Sequence, residues 1–264
     1  TPKNYQKSAW KRSICMHWIA VDYFEQHVIV EKLKLLEPFY QAKGLDLFAN
    51  PISVTPPIGQ VLNPVLQSQL RQPYIVLHPG PLNGYKRWPL GYWAQLIKEL
   101  VAMNYQIVLS ASPAEQDLAL NRDILSLLDH EVSRSVLDTK GHLNLPQVKT
   151  VLDGAALYIG VDTSVTHLAA ACEIPTIALF GPTPPTNFGP WPNGFVGERP
   201  YQLRDRTQIV QKVCILQGPG DCVPCRKAGC FDTANSKSEC LDLLEPSQVL
   251  GAAKKMLGRS AGLS

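Results

Sequence analysis

An apolar run that passes directly into polar residues and a helix start is the feature that most constrains this chain. The run covers residues 155–159, and the sequence Gly-Val-Asp-Thr-Ser-Val-Thr-His follows at residues 160–167. A continuous apolar run is typical of a strand buried in a parallel sheet, and open α/β sheets bind ligands at the carboxyl ends of their strands. The sequence therefore predicts an α/β fold with a ligand site directly after this strand.

The residues after this strand suit a phosphorylated sugar. Thr163 and Ser164 are predicted to start a helix, whose first backbone N–H groups lack partners within the helix and whose dipole is positive at that end. This end favours a phosphate or diphosphate, whereas the Asp162 carboxylate would repel one and suits sugar hydroxyls better. His167, one turn further on, is predicted to face the same site. The alternative is an ordinary capped helix with His167 on a solvated face.

Three further strands are predicted to end at the same crevice. An apolar strand at residues 74–77 precedes a turn rich in Gly and Pro that carries Lys86 and Arg87. A second strand, at residues 106–109, precedes Glu115 at a helix start, and a third, at residues 175–180, precedes a Gly-Pro-Thr-Pro loop. The two basic residues would supply positive charge for a phosphate. Solvated surface cations are the alternative.

Five motifs in fixed order carry a family resemblance. They are His-Pro-Gly at 78–80, Lys-Arg-Trp-Pro at 86–89, Gly-Val-Asp-Thr-Ser at 160–164, His-Leu-Ala-Ala-Ala at 167–171 and Phe-Gly-Pro-Thr at 180–183. Together they resemble the lipopolysaccharide heptosyltransferases of glycosyltransferase family 9, over about residues 74–191. The resemblance implies the GT-B architecture of two Rossmann-like domains, each a doubly wound parallel sheet, with the donor held mainly by the C-terminal one.

The resemblance also implies a reaction and its site residues. The reaction is an inverting transfer of heptose from ADP-heptose to a lipopolysaccharide core or similar lipid-linked saccharide, with no cofactor for catalysis. Lys86 would contact the donor phosphate and Asp162 the heptose hydroxyls, and these two are assigned as catalytic. The substrate-binding residues implied are Thr163 and Ser164 at the diphosphate, His167 in the same pocket, Glu115 at the ribose and Leu143 at the adenine. Ser164 stands where many relatives have Gly, which adds a side chain beside the diphosphate.

The expected organisation has four parts. Residues 1–48 form the tail of an N-terminal, acceptor-side domain, in which residues 21–47 are predicted to be one helix that closes at Gly44. Residues 49–73 form a Pro-rich linker, residues 74–245 the nucleotide-sugar-binding domain with a cysteine-rich loop at 214–240, and residues 246–264 a C-terminal helix. The general base of the family belongs to the N-terminal domain, so a nucleotide-sugar-binding module without catalysis is the alternative function.

Four of the seven cysteines lie close together in the sequence. They are Cys222, Cys225, Cys230 and Cys240. In a cytosolic protein thiols stay reduced, and a C-x2-C pair with two more cysteines nearby favours tetrahedral sulfur ligation of zinc or iron. We therefore predict one structural metal ion. Packed thiols without metal are the alternative.

Composition and charge argue against other classes. A net charge of +3 is too small to predict nucleic-acid binding, and no apolar run reaches the roughly 18 residues of a membrane span. The G-x-G-x-x-G turn of a nicotinamide dehydrogenase does not follow residues 74–77. We expect a cytoplasmic protein. Its basic, aromatic segment at residues 3–18 suits either peripheral contact with the inner membrane face or an ordinary solvated helix face.

Overall fold

One seven-stranded sheet organises the part of the chain that the computed structural model describes, residues 25–261. The strands are β1 (Tyr74–His78), β2 (Gln106–Leu109), β3 (Val136–Asp138), β4 (Leu157–Val161), β5 (Thr176–Phe180), β6 (Thr207–Val210) and β7 (Val213–Gln217). Their order in the sheet is β3-β2-β1-β4-β5-β7-β6. All neighbouring strands run parallel except β6 and β7, which are antiparallel. The predicted α/β fold with a mainly parallel, doubly wound sheet is confirmed.

Eleven α-helices surround this sheet within the described residues. They are α1 (Val28–Lys34), α2 (Glu37–Gln41), α3 (Pro64–Gln69), α4 (Leu90–Ala102), α5 (Glu115–Ser126), α6 (His130–Ser133), α7 (Leu145–Asp153), α8 (Ser164–Ala171), α9 (Pro185–Phe188), α10 (Glu239–Asp242) and α11 (Pro246–Ala261). A 3₁₀ turn at Gly84–Lys86 follows β1. Helix α11 falls within the predicted C-terminal segment, and none of the described helices is long and apolar enough to cross a membrane.

The central strands are buried on both faces because helices cover each side of the sheet. Ile75 and Leu77 of β1 pack in one hydrophobic cluster with Trp93 of α4 and Val249 of α11. The alternate residues of β1, including Val76, pack in a second cluster with residues of α7 and α8. Successive side chains of a strand point to opposite faces, and apolar residues at both sets of positions therefore fix a two-sided core.

The single helix predicted over residues 21–47 is wrong for the described part of that range. Helix α1 ends at Lys34, and α2 starts anew with Pro38 in its first turn. A proline in a helix interior lacks the N–H donor and clashes with the preceding turn, whereas the first turn tolerates it. Gly44 does follow the last helical turn with a φ of 66°, and the N–H of Leu45 donates to the carbonyl of Tyr40 at 3.0 Å.

The predicted linker packs against the sheet domain. Leu62 is buried in the cluster that contains α7 and α8. Ile52 forms an antiparallel bridge with Phe195, and its carbonyl accepts from the indole N–H of Trp191 at 3.0 Å. The predicted domain boundaries stay predictions. The basic segment at residues 3–18 lies outside the described residues, and its membrane contact also stays a prediction.

The strand order locates the site. The chain moves outward from β1 to β2 and β3, then returns to place β4 on the other side of β1. In such sheets the crevice at the carboxyl ends of the two strands that flank this reversal is the usual ligand site. Here those strands end at His78 and Val161, directly before the motifs singled out in the sequence.

Candidate functional site

Two cavities open at this reversal of strand order. The first, which we name the loop cavity, has a volume of about 650 Å³ and extends from Lys86 and Asp162 to Pro184 and the cysteine-rich loop at Arg226. The second, the strand cavity, has a volume of about 700 Å³ and lies against the ends of β1 and β2 and the start of α7. Four residues line both cavities: Lys86, Asp162, Thr163 and Ser164.

The structure brings together six of the seven predicted donor-site residues. Besides the four shared residues, His167 lines the loop cavity and Leu143 lines the strand cavity. Glu115 lines neither cavity, although its neighbours Ala114 and Gln116 line the strand cavity. The roles assigned to these residues stay predictions, and the shared residues mark where one ligand can extend from one cavity into the other.

Lys86 and Asp162 form an ion pair at the junction of the cavities. Lys86 Nζ lies 2.6 Å from Asp162 Oδ2, and the two side chains are 22% and 8% exposed. Lys86 is the last residue of the 3₁₀ turn after β1, and Asp162 directly follows β4. The two residues were predicted to contact different parts of a ligand, and their contact with each other was not predicted. A bound anion would compete with Asp162 for the ammonium group.

The start of α8 adds an uncapped helix end to the junction. Thr163 is the N-cap residue, and its side chain makes no capping hydrogen bond. The Thr166 hydroxyl instead donates back to the carbonyl of Val161 and lies 2.9 Å from the Tyr158 hydroxyl. Because no side chain of the N-cap occupies the first backbone N–H groups, this helix end is suited to an anion.

His167 lies in the loop cavity as a neutral imidazole. Its Nε2 is 3.9 Å from Asp162 Oδ1. Burial lowers the pKa of His167, the Asp162 carboxylate raises it, and the Lys86 ammonium lowers it, with a net shift below the ordinary value. At neutral pH the ring therefore offers one hydrogen-bond donor and one acceptor to a ligand and carries no charge.

His78 links the first two strands beneath the strand cavity. Its Nδ1 lies 2.8 Å from the Ser110 hydroxyl, across the ends of β1 and β2. Burial lowers the pKa of His78 to about 4. His78 belongs to the His-Pro-Gly motif, and in the structure its neutral, buried ring also connects the two strand ends.

Asp117 is a buried carboxylate of the strand cavity that the sequence analysis missed. It accepts from the Ser112 hydroxyl at 2.5 Å. A Cβ atom at Gly80 would lie 2.7 Å from Asp117 Cγ, which explains the glycine of the His-Pro-Gly motif. The signal available in the sequence was a second acidic residue, two positions after Glu115, in the first turn of α5.

Glu115 faces away from the cavities. Its side chain is 76% exposed and its Oε1 lies 2.5 Å from Nη2 of Arg122, on the same helix. Its predicted contact with a ribose would require this pair to open. That contact stays a prediction, and Asp117 is the carboxylate of α5 that lies in the cavity.

The four clustered cysteines line one small cavity of about 100 Å³. Burial raises the pKa of the Cys240 thiol to about 12, with a further contribution from Cys225. Over residues 25–261, no three side chains of His, Cys, Asp or Glu converge closely enough to hold a metal ion. The predicted cluster thus exists as four neighbouring free thiols, and its metal stays a prediction.

Comparisons with known proteins show the family to which the chain belongs. The family model of glycosyltransferase family 9 (heptosyltransferase) matches residues 7–208. Lipopolysaccharide heptosyltransferase 3 of Escherichia coli is 26% identical over 196 residues, which are 73% of this chain and 55% of that protein.

Two solved structures share the fold. A glycosyl transferase family 9 protein from Veillonella parvula superposes with a TM-score of 0.66 at 16% identity, over 95% of this chain and 66% of that one. The ADP-heptose lps heptosyltransferase II of E. coli superposes with a TM-score of 0.58 at 22% identity, over 78% of this chain and 54% of that one. The chain thus spans about half the length of both E. coli proteins. Since the family model covers well over half of its residues, the chain belongs to glycosyltransferase family 9.

Proposed function

We propose that this chain binds a nucleotide diphosphate sugar, ADP-heptose, across the two cavities and serves its transfer to a lipopolysaccharide acceptor. The observation that carries the proposal is the junction of the cavities, where a lysine, an aspartate and an uncapped helix start lie together. A diphosphate needs the cation and the N–H groups, and a sugar beside it needs the carboxylate. The names of the relatives as lipopolysaccharide heptosyltransferases support the same substrate class.

The two cavities give the donor a direction. The adenine and ribose would occupy the strand cavity, near Leu143 and Asp117, and the diphosphate would lie at Thr163 and Ser164. The heptose would then enter the loop cavity, within reach of Asp162 and the neutral His167. The acceptor would approach from the far side of the sugar.

The chemistry proposed is an inverting displacement without metal. A general base removes the proton of an acceptor hydroxyl, the oxygen attacks the anomeric carbon, and the bond to the diphosphate breaks. Negative charge grows on the departing diphosphate. Lys86 and the N–H groups at the start of α8 would stabilise that charge, as preorganised donors do in other enzymes.

A binding module without catalysis is the second candidate. It is favoured by one observation about His27, the residue directly before α1, which is buried and already bonded and therefore unavailable as a general base. His27 Nε2 donates to the carbonyl of Gly189 at 2.8 Å. Donor binding without transfer would support this candidate.

We also propose that the clustered cysteines hold a structural metal ion. Four thiols line one cavity and are the soft ligands that zinc and iron accept in tetrahedral sites. A bound metal would have to draw them together, because no three of them converge closely enough within the described residues. Because the metal binds thiolates, the Cys240 thiol must release its proton on binding. Neither Lys86 nor Asp162 lines this cavity, so the metal would support the cysteine-rich loop and take no part in transfer.

Calorimetry with ADP-heptose and ADP tests the proposed function. We expect both to bind, and Lys86→Ala to weaken both by about 1.5–3 kcal/mol, the usual value of a hydrogen bond to a charged group. The matched control is Lys254→Ala, on an exposed position of α11. Absence of ADP-heptose binding, or equal affinity in the parent chain and Lys86→Ala, would contradict the assignment.

A further inference from the structure

The cysteine-rich loop has two sides that face different cavities. Its cysteines line the small thiol cavity together with Pro182. On the other side, Arg226, Lys227 and Asp232 line the loop cavity. None of these three lines the strand cavity. The loop is therefore a wall between the thiols and the ligand space.

The backbone holds this wall in a fixed conformation. The N–H of Arg226 donates to the carbonyl of Pro182, in the loop after β5, at 2.9 Å. The N–H of Ala228 donates to Asp232 Oδ1 at 2.8 Å. Arg226 and Asp232 have φ angles of 61° and 55°, a left-handed conformation that costs energy in residues other than glycine. Strained backbone of this kind clusters at ligand sites.

The wall adds positive charge to the loop cavity. At the junction the charge of Lys86 is matched by Asp162, and His167 is neutral. Arg226 and Lys227 bring two positive charges to the wall, and Asp232 brings one negative charge. One carboxylate oxygen of Asp232 accepts the hydrogen bond from the N–H of Ala228. By formal charge, these three wall residues together carry a net charge of +1 away from the junction.

We propose that Arg226 and Lys227 form a subsite for an anionic group, a phosphate or a carboxylate, of the acceptor saccharide. The proposal rests on the proposed function, because it takes the donor diphosphate to lie at the residues shared by both cavities. A group that reaches the loop wall then lies beyond the donor sugar, where the acceptor must be. Arg binds both kinds of anion with two parallel hydrogen bonds, and Lys adds a point charge.

The test is calorimetry on the double variant Arg226→Gln, Lys227→Gln. The matched control is Lys254→Gln, Lys255→Gln, which removes two adjacent positive charges from exposed positions of α11. Each chain is first titrated with ADP. It is then saturated with ADP and titrated with a deacylated, truncated lipopolysaccharide, so that the shared residues are already occupied.

We expect the loop double variant to bind this saccharide about tenfold more weakly or worse, since it loses hydrogen bonds to a charged group. ADP affinity should stay that of the parent, and the control should match the parent for both ligands. A dephosphorylated saccharide distinguishes the two anions. If it binds as weakly to the parent as the intact one does to the variant, the group is a phosphate; if it binds as well as the intact one, the group is a carboxylate.

Three results would overturn the subsite. They are absence of saccharide binding by the parent, equal saccharide affinity in parent and variant, and a loss of ADP affinity as large as the loss for the saccharide. The last result would assign both cations to the donor diphosphate. If ADP does not bind, the proposed function fails separately, and inorganic phosphate becomes the probe for the subsite. Phosphate should then raise the melting temperature of the parent and the control but not that of the loop double variant. Equal shifts in all three proteins would overturn the subsite.

Discussion

Lys86 and Asp162 are in contact, so neither side chain offers its full charge to a ligand. A diphosphate that takes hydrogen bonds from Lys86 must share the ammonium with a carboxylate 2.6 Å away. A sugar hydroxyl that donates to Asp162 eases this competition, because it draws on the same carboxylate. The sugar and the diphosphate of one ligand are therefore coupled through this pair.

We predict that Asp162→Asn separates the contributions of the sugar and of the nucleotide to donor binding. Binding of ADP-heptose should weaken, by about 1.5–3 kcal/mol for loss of a charged acceptor, relative to binding of ADP. ADP itself should bind at least as tightly as to the parent, because Lys86 is released. Calorimetry with both ligands measures this.

Asp123→Asn is the control for that experiment, since Asp123 is exposed on α5 and lines neither cavity. It should leave both affinities unchanged. Equal losses for ADP and ADP-heptose in Asp162→Asn would instead move Asp162 to the nucleotide.

Residue identities at the site were predictable where a motif sits at a strand end. Lys86, Asp162 and Thr163 follow apolar runs whose carboxyl ends must meet at one edge of the sheet. The buried carboxylate of α5 was not predictable from the sequence, because Glu115 and Asp117 are both acidic residues of one helical turn. Which of them faces inward depends on the rotation of the helix, and the lack of a side chain at Gly80 leaves room for Asp117.

Among the elements, α1 is attached to the sheet domain by its N-cap. The Nδ1 of His27 accepts from the N–H of Ile29 at 3.2 Å, and Nε2 donates to the carbonyl of Gly189 at 2.8 Å. The ring also contacts Trp191 edge to face. The bond from Ile29 requires an unprotonated Nδ1 and hence the neutral ring, and burial lowers the pKa of His27 to about 4.

This cap predicts a loss of stability in mild acid. The pKa of His27 is about 4 in the folded chain, against the ordinary value of 6.5 that applies to the unfolded chain. As the pH falls, the unfolded chain therefore takes up the proton at a higher pH than the folded chain does. The contribution of His27 is complete above pH 6.5, declines as the pH falls toward 4, and changes no further below that. His78 titrates in the same window.

His27→Gln should therefore reduce the pH dependence of the unfolding free energy in this window. The slope should fall by one proton, about 1.4 kcal/mol per pH unit. Urea unfolding across the window measures it, with His142→Gln, at an exposed position, as the control that keeps the parent slope. An unchanged slope in His27→Gln would show that the cap does not titrate there.

The cysteine cluster gives a second prediction for an element. Protein purified without added metal should contain about one zinc or iron ion per chain, because four soft ligands complete a tetrahedral site. Elemental analysis measures the ion, which Cys225→Ser should lose and Cys172→Ser, outside the thiol cavity, should keep. A parent protein without metal would leave only packed thiols at the loop.

For the whole molecule, the sequence predicted four of the seven strands, β1, β2, β4 and β5, and missed β3, β6 and β7. Residues 74–77 and 155–159 are apolar at every position or nearly so, which identifies strands covered on both faces. Strand β6 is a half-buried edge strand of four residues paired antiparallel to β7. Its sequence, Thr-Gln-Ile-Val, lacks the apolar run, because an edge strand has no cover on one side.

The whole chain also carries a prediction about transfer. The 264-residue chain should bind ADP-heptose and yet transfer heptose at a rate near background. His27 is buried and bonded, and Asp162 is paired with Lys86. Neither of these two described side chains is free to act as the general base, and loss of general base catalysis typically costs 10²–10⁴-fold. A turnover assay with ADP-heptose and truncated lipopolysaccharide, beside a thermal-shift titration with ADP-heptose, measures both properties.

Robust transfer by this chain would contradict that prediction. His167→Gln then identifies the base, since the neutral His167 ring lines the loop cavity. Loss of transfer with intact ADP binding would assign the base to His167, and retained transfer would direct the search to residues 1–24.

The ion pair between Lys86 and Asp162 means that the site carries its own counter-ion. An anion that binds at a lone lysine displaces ions from solution, and its affinity falls as the ionic strength rises. Here the diphosphate exchanges with a carboxylate that is 8% exposed and belongs to the protein. Few dissolved ions are released in that exchange, so a donor bound at this junction is held with little dependence on the salt content of its surroundings.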